Sequence, residues 1–161
     1  MIKAIVYETN TGHTLEYAKM LENELNLPCY TIKEAKAKLN INAEIIFLGW
    51  LFATKIQGLN KVKKYDLKCV GAVGSYPNDK EYIESLKKSN NIRDNLFYLR
   101  GGINFDRLKG FKKTLLQGVG KMMTKDSKPE DTEIVELFSK GANYVSRDNL
   151  DEMLKYIKEK V

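Results

Sequence analysis

Apolar residues follow two rhythms along this chain, and the switches between them mark its elements. Residues 2–7 form a near-continuous β-branched and aromatic run, as in a strand covered on both faces. The run breaks at Thr9. From Leu15 onward, Leu15, Ala18, Leu21 and Leu25 recur at helical spacing, with Glu16, Lys19, Glu22 and Glu24 between them. That pattern predicts a helix with one wet face, and Thr14 is its expected N-cap.

The same reading carries through the chain. A short strand is predicted over residues 28–32, then a charged helical connector over 33–39 and a strongly apolar buried strand over 43–49. Beyond Gly49, the residues Trp50, Leu51 and Phe52 leave the strand end where a loop is usually polar. Leu59, Val62 and Tyr65 predict a basic helix, residues 68–74 a fourth strand, residues 81–88 a helix and residues 95–100 a fifth strand closed by Gly101 and Gly102. The last helix is expected over 149–160, capped by Asp148, with Leu150, Met153, Leu154 and Ile157 as its buried stripe. Alternating strands and helices predict an α/β fold in three layers, a doubly wound parallel sheet of five strands forming a single domain over residues 1–161.

The first strand-to-helix turn carries the densest chemistry. Thr9, Thr11 and Thr14 add hydroxyl donors, Asn10 an amide, and Gly12 lets the backbone come close or turn to positive φ. A helix N-terminus presents free amides and a positive dipole end, which suits a phosphate. The competing reading is an ordinary turn with a threonine cap. The loop contains neither lysine nor arginine, unlike the loop of nucleotide triphosphatases. His13, the single histidine, either touches the anion or faces water, and water is the preferred reading.

Thr9-x-Thr11-Gly12-x-Thr14 directly after the first strand resembles the signature of the flavodoxin-like FMN-binding family. The resemblance implies strand order 2-1-3-4-5 and a crevice between the first and third strands. It implies that Thr9, Asn10, Thr11, Gly12, His13 and Thr14 hold the phosphate of FMN. Gly49, Trp50, Leu51 and Phe52 would line one side of the flavin ring, and Gly74, Ser75, Tyr76 and Asp79 the other. For Trp50 and Phe52, the alternative is packing under a loop or against a partner. Leu99-Arg100-Gly101-Gly102-Ile103 with the segment behind it resembles a flavodoxin-domain subgroup that includes the bacterial menaquinone-dependent protoporphyrinogen oxidase. The stretch 75–94 is shorter here than in that oxidase.

Charge sharpens this picture. Arg100, Arg107, Lys109, Lys112, Lys113, Lys121 and Lys125 stand against Asp106 alone, so residues 100–125 carry a net charge equal to the +6 of the whole chain. Phe111, Leu115, Leu116, Val119, Met122 and Met123 recur there at helical spacing, predicting a basic amphipathic helix inserted after the fifth strand. Its apolar stripe can pack on the sheet while its lysines steer an acidic redox partner; reversible contact with anionic lipid is a further reading. Nucleic acid is a poor match.

Other chemistries lack their residues. Receiver domains need an acidic pair after the first strand and an aspartate at the third; Glu8-Thr9 and Gly49-Trp50 stand there. No dinucleotide glycine motif or nucleophile elbow is present. Cys29 and Cys69 are far apart, which favours free thiols over a metal site. No residue reads as a catalytic acid, base or nucleophile. The longest apolar run, residues 45–53, is too short to span a bilayer. The expectation is a cytoplasmic FMN protein in electron transfer or oxidoreduction, with contact at the inner membrane face as an option. The alternatives are a membrane-surface porphyrinogen or quinone oxidoreductase, and a non-redox module on the same fold.

Overall fold

The computed structural model describes residues 1–108, 110, 114, 117–118 and 132–161. It is a mixed α/β protein with a mostly parallel central sheet flanked by helices. Strands β1 (Ala4–Glu8), β2 (Cys29–Thr31), β3 (Glu44–Phe52), β5 (Asp66–Gly74) and β6 (Leu96–Arg100) lie in the order β2-β1-β3-β5-β6. Every neighbouring pair along that path is parallel. A sixth strand, β4 (Lys55–Ile56), folds back antiparallel on the end of β3. The sequence reading counted five strands because a two-residue strand has no periodicity to read.

Alternation along the strands divides the core. Ile5, Ile46, Leu48 and Leu99 face helices α1 (His13–Leu25) and α5 (Asp151–Lys160), packing on Tyr17, Leu21, Met153 and Leu154. Val6, Ile45, Phe47 and Val70 face the other way, onto α2 (Ile32–Lys38) and α3 (Lys80–Asn90) through Ile32, Ala35 and Leu86. Successive residues bury opposite faces because the strand period is two.

Helix ends depart from the sequence reading. Gly12, at φ 105°, occupies the N-cap of α1 and no side chain caps that helix; Thr14 is buried one residue inside it. Asp148 lies within a 3-10 turn, Arg147–Leu150, capped by Ser146. Leu59–Lys61 is a single 3-10 turn rather than a basic helix. By contrast, α2 carries a full capping box between Thr31 and Glu34.

Past β6 the chain leaves the sheet. β7 (Gly102–Ile103) pairs antiparallel with β8 (Ala142–Asn143), and α4 (Thr132–Lys140) packs with them around Ile103, Leu108 and Leu137. Residues 105–107 form a turn, and most of the predicted basic helix lies outside the described residues. Among the described residues, no helix is long and apolar enough to cross a membrane.

Candidate functional site

Between β1 and β3 the chain reverses its direction of progress across the sheet, so the loops at their carboxyl ends diverge and leave a crevice. A cavity of about 370 Å³ opens there. From β1 and α1 it is lined by Thr9, Asn10, Thr11, His13 and Thr14. From β3 come Trp50, Leu51 and Phe52, and from β5 Gly74, Ser75 and Tyr76.

The first loop is wound tightly. Thr9 Oγ1 accepts a hydrogen bond from the Gly12 amide at 3.2 Å. Helix α1 then starts with its first amides lacking both intrahelical and side-chain acceptors. The neighbouring strand, β3, continues past Gly49 because Leu51 and Phe52 pair with Ile56 and Lys55. The turn joining them is Ala53-Thr54, with Ala53 at φ 51°. Trp50 and Phe52 meet edge to face at 6.2 Å, and Phe52 remains 48% exposed. Across the crevice Tyr76, 40% exposed, leans on Tyr82, which abuts Tyr98. Tyr98 is buried and its hydroxyl donates to the Tyr76 carbonyl at 2.6 Å, so the exposed aromatic stands on a fixed support. Burial pushes the Tyr98 phenol well up, keeping it a donor.

Three expected residues do not reach the cavity lining. Gly12 is turned away by its cap geometry, and a Cβ there would run into Arg107 Nη1. Gly49 is covered by the returning β4, where a Cβ would meet the Gln57 carbonyl and Ile56. Asp79 caps α3 instead, accepting from the Tyr82 amide at 2.9 Å. His13 departs from its reading too: it is buried, only 6% exposed, and does not face bulk water. Burial holds its imidazole below the usual value, Glu16 opposes and Arg107 adds to the shift.

The far wall was invisible in the sequence. Gly102, Ile103 and Asn104, then Leu108 and Phe138, close the cavity. Gly102, at φ 148°, lies so close to the Ala142 carbonyl that no side chain fits. Arg100 is spent on structure: it pairs with Glu133 at 2.5 Å and covers the Tyr144 ring at 3.8 Å, so it is no free docking cation. Arg107 reaches back across 96 positions, Nη1 donating to the Thr11 carbonyl at 3.2 Å. No local pattern announces that contact, although the Gly-Gly pair after β6 signals a close backbone approach.

Among the described residues no cluster of histidine, cysteine and carboxylates could hold a metal. Cys29 and Cys69 are free thiols remote from the cavity lining. Comparison with protein-family models, with curated protein sequences and with solved structures returns no match for this chain.

Proposed function

We propose that this chain is a flavodoxin-like FMN-binding protein acting in electron transfer or oxidoreduction. One observation carries the reading. An uncapped helix start ringed by Thr9, Thr11 and Thr14 opens into the same cavity as aromatic side chains from two other strand ends. A phosphate suits the first part, by free amides, hydroxyls and helix dipole. A flat apolar ring suits the second, and about 370 Å³ is within the range of small-molecule sites.

On this reading the amides at the start of α1 and the three hydroxyls hold the phosphate. Trp50, Leu51 and Phe52 cover one side of the ring, and Gly74, Ser75 and Tyr76 the other. Gly74 keeps that side shallow, since a Cβ there would press on Leu51 and Tyr98. Bound FMN would supply the electron-accepting and electron-donating chemistry. The apolar walls limit water at the ring, and the described cavity offers no residue that the chemistry would need as an acid or base beyond His13.

The test is a visible absorbance titration of the purified full-length chain with FMN, followed by dithionite. A perturbed, bleachable flavin spectrum at micromolar FMN is expected. An unperturbed spectrum refutes the reading and favours a non-redox module. A second reading, turnover of a quinone or porphyrinogen, draws on Ile103, Leu108 and Phe138. A carrier passing electrons only to proteins has no need of this added apolar wall. Absence of both liposome association and quinone-dependent turnover would dismiss it.

A further inference from the structure

The loop that is neutral in sequence is not neutral in space. Arg107 lies against Gly12 and donates from Nη1 to the Thr11 carbonyl at 3.2 Å. It is not itself part of the cavity lining. His13, the residue after Gly12, does line the cavity while remaining 6% exposed. Thr11 Oγ1 meets its Nδ1 at 3.3 Å. Among the described residues no hydrogen bond reaches the other ring nitrogen, Nε2. That nitrogen is not a sealed-in atom: His13 lines the cavity, and Nε2 keeps accessible surface there, within reach of a ligand oxygen.

The surroundings of His13 define its charge. Glu16, one turn along α1, favours the imidazolium, while burial and Arg107 oppose it. The strand ends beside it contribute Gly101 and Val73, neither of which carries charge. The ring is therefore neutral near neutral pH. A phosphate dianion at the start of α1 reverses the balance, because it attracts both cations.

We propose, resting on the mononucleotide reading of this cavity, that His13 is a specificity-determining residue that takes up one proton when a phosphate monoester enters, with Arg107 as the fixed charge beside it. The proton comes from solvent and no covalent bond changes. Protonated, the ring donates from both nitrogens, Nδ1 to Thr11 Oγ1 and Nε2 to a phosphate oxygen. Arg107 adds positive charge from outside the lining and steadies the Thr11-Gly12 backbone. The pair thus selects a dianion: FMN is favoured over riboflavin by charge, and binding is linked to pH.

His13 is the only histidine in the chain, so its ring signals can be followed by proton NMR without further assignment. The full-length protein is titrated from about pH 5 to about pH 8, spanning the histidine range, alone and with FMN, riboflavin or inorganic phosphate. FMN is expected to raise the His13 midpoint by about one unit or more, and riboflavin to leave it in place. Phosphate shifting it without riboflavin would assign the effect to the anion. Calorimetry at about pH 7, above the second phosphate ionisation near 6, in two buffers of different ionisation heat should show a fractional proton uptake for FMN and none for riboflavin. His13→Gln should bind FMN without that uptake. Arg107→Gln should weaken FMN about threefold to fivefold, the scale of an exposed ion pair, and leave riboflavin unchanged.

Bound FMN with an unmoved His13 midpoint, or an equal movement with riboflavin, overturns the proposal and leaves the cofactor reading standing. A chain that leaves FMN unperturbed in the visible spectrum removes both. Because the NMR arm uses the unaltered protein, a variant that fails to fold does not shelter the proposal.

Discussion

Replacing Tyr17 with phenylalanine removes one oxygen from beneath the candidate site and leaves the ring in place. The side chain is fully buried. Its hydroxyl donates to the Arg100 carbonyl at 2.5 Å and accepts from Asn149 Nδ2 at 2.6 Å, with the Ser146 amide at 3.4 Å. Without it, the Arg100 carbonyl keeps the Asn149 amide at 3.4 Å, and Asn149 keeps the Tyr144 carbonyl at 2.9 Å. Two short bonds vanish, each with a net value of about 1 kcal/mol, and a half-satisfied buried carbonyl adds to the cost, so the expected loss is about 2–3 kcal/mol. Urea denaturation followed by far-UV circular dichroism measures it, as a lower midpoint at unchanged slope. Asn149→Ala removes part of the same network. The double variant should therefore lose about 1 kcal/mol less than the sum of the singles. Strict additivity, or a Tyr17→Phe loss below about 0.5 kcal/mol, would refute the reasoning. Since Gly102, two residues after Arg100, lines the cavity, a loss of FMN affinity is expected alongside.

Other perturbations test other joints. Gly102→Ala puts a Cβ against the Ala142 carbonyl at a φ of 148°, and should cost about 2–4 kcal/mol and open the β7–β8 pair; a variant as stable as the parent in the same urea assay would contradict this. His13 is held below its ordinary pKa in the folded chain, so the unfolded chain binds the proton first as pH falls. The stability given by the neutral ring is complete above about pH 6.5 and declines below it. His13→Gln should lose less stability than the parent over that interval, and parallel loss would count against the placement. Cys29 is pushed up to about 11 from 9.0, chiefly by burial, which lowers its thiolate fraction near pH 8 about 100-fold. Cys69 is buried and shifted in the same direction. Iodoacetamide labelling of the native chain should accordingly be slow at both, and fast labelling of either would show that site to be open.

Much of the frame was legible because it is local. The apolar run of β1, the stripe of α1 and the stripe Leu150, Met153, Leu154 and Ile157 each record which face of one element leaves water, and all four of the last are buried. Thr9, Thr11 and Thr14 gather because they share one turn. Where readings went astray, a distant segment had intervened. Residues 50–52 became strand because Lys55 and Ile56 returned to supply hydrogen bonds, through a turn with no glycine to announce it. Gly12 displaced Thr14 as the cap because the backbone turned left-handed at the helix start.

The sequence by itself determined which stretches bury apolar surface and which loop could cradle an anion, since both depend on residues within a few positions of each other. Tertiary structure alone decided that His13 is enclosed, that Arg107 lies on the loop, and that Ile103, Leu108 and Phe138 close the cavity. Those outcomes depend on how the chain returns after β6. The return is held by backbone approaches such as Gly102 to Ala142, and they leave no periodic trace in the sequence.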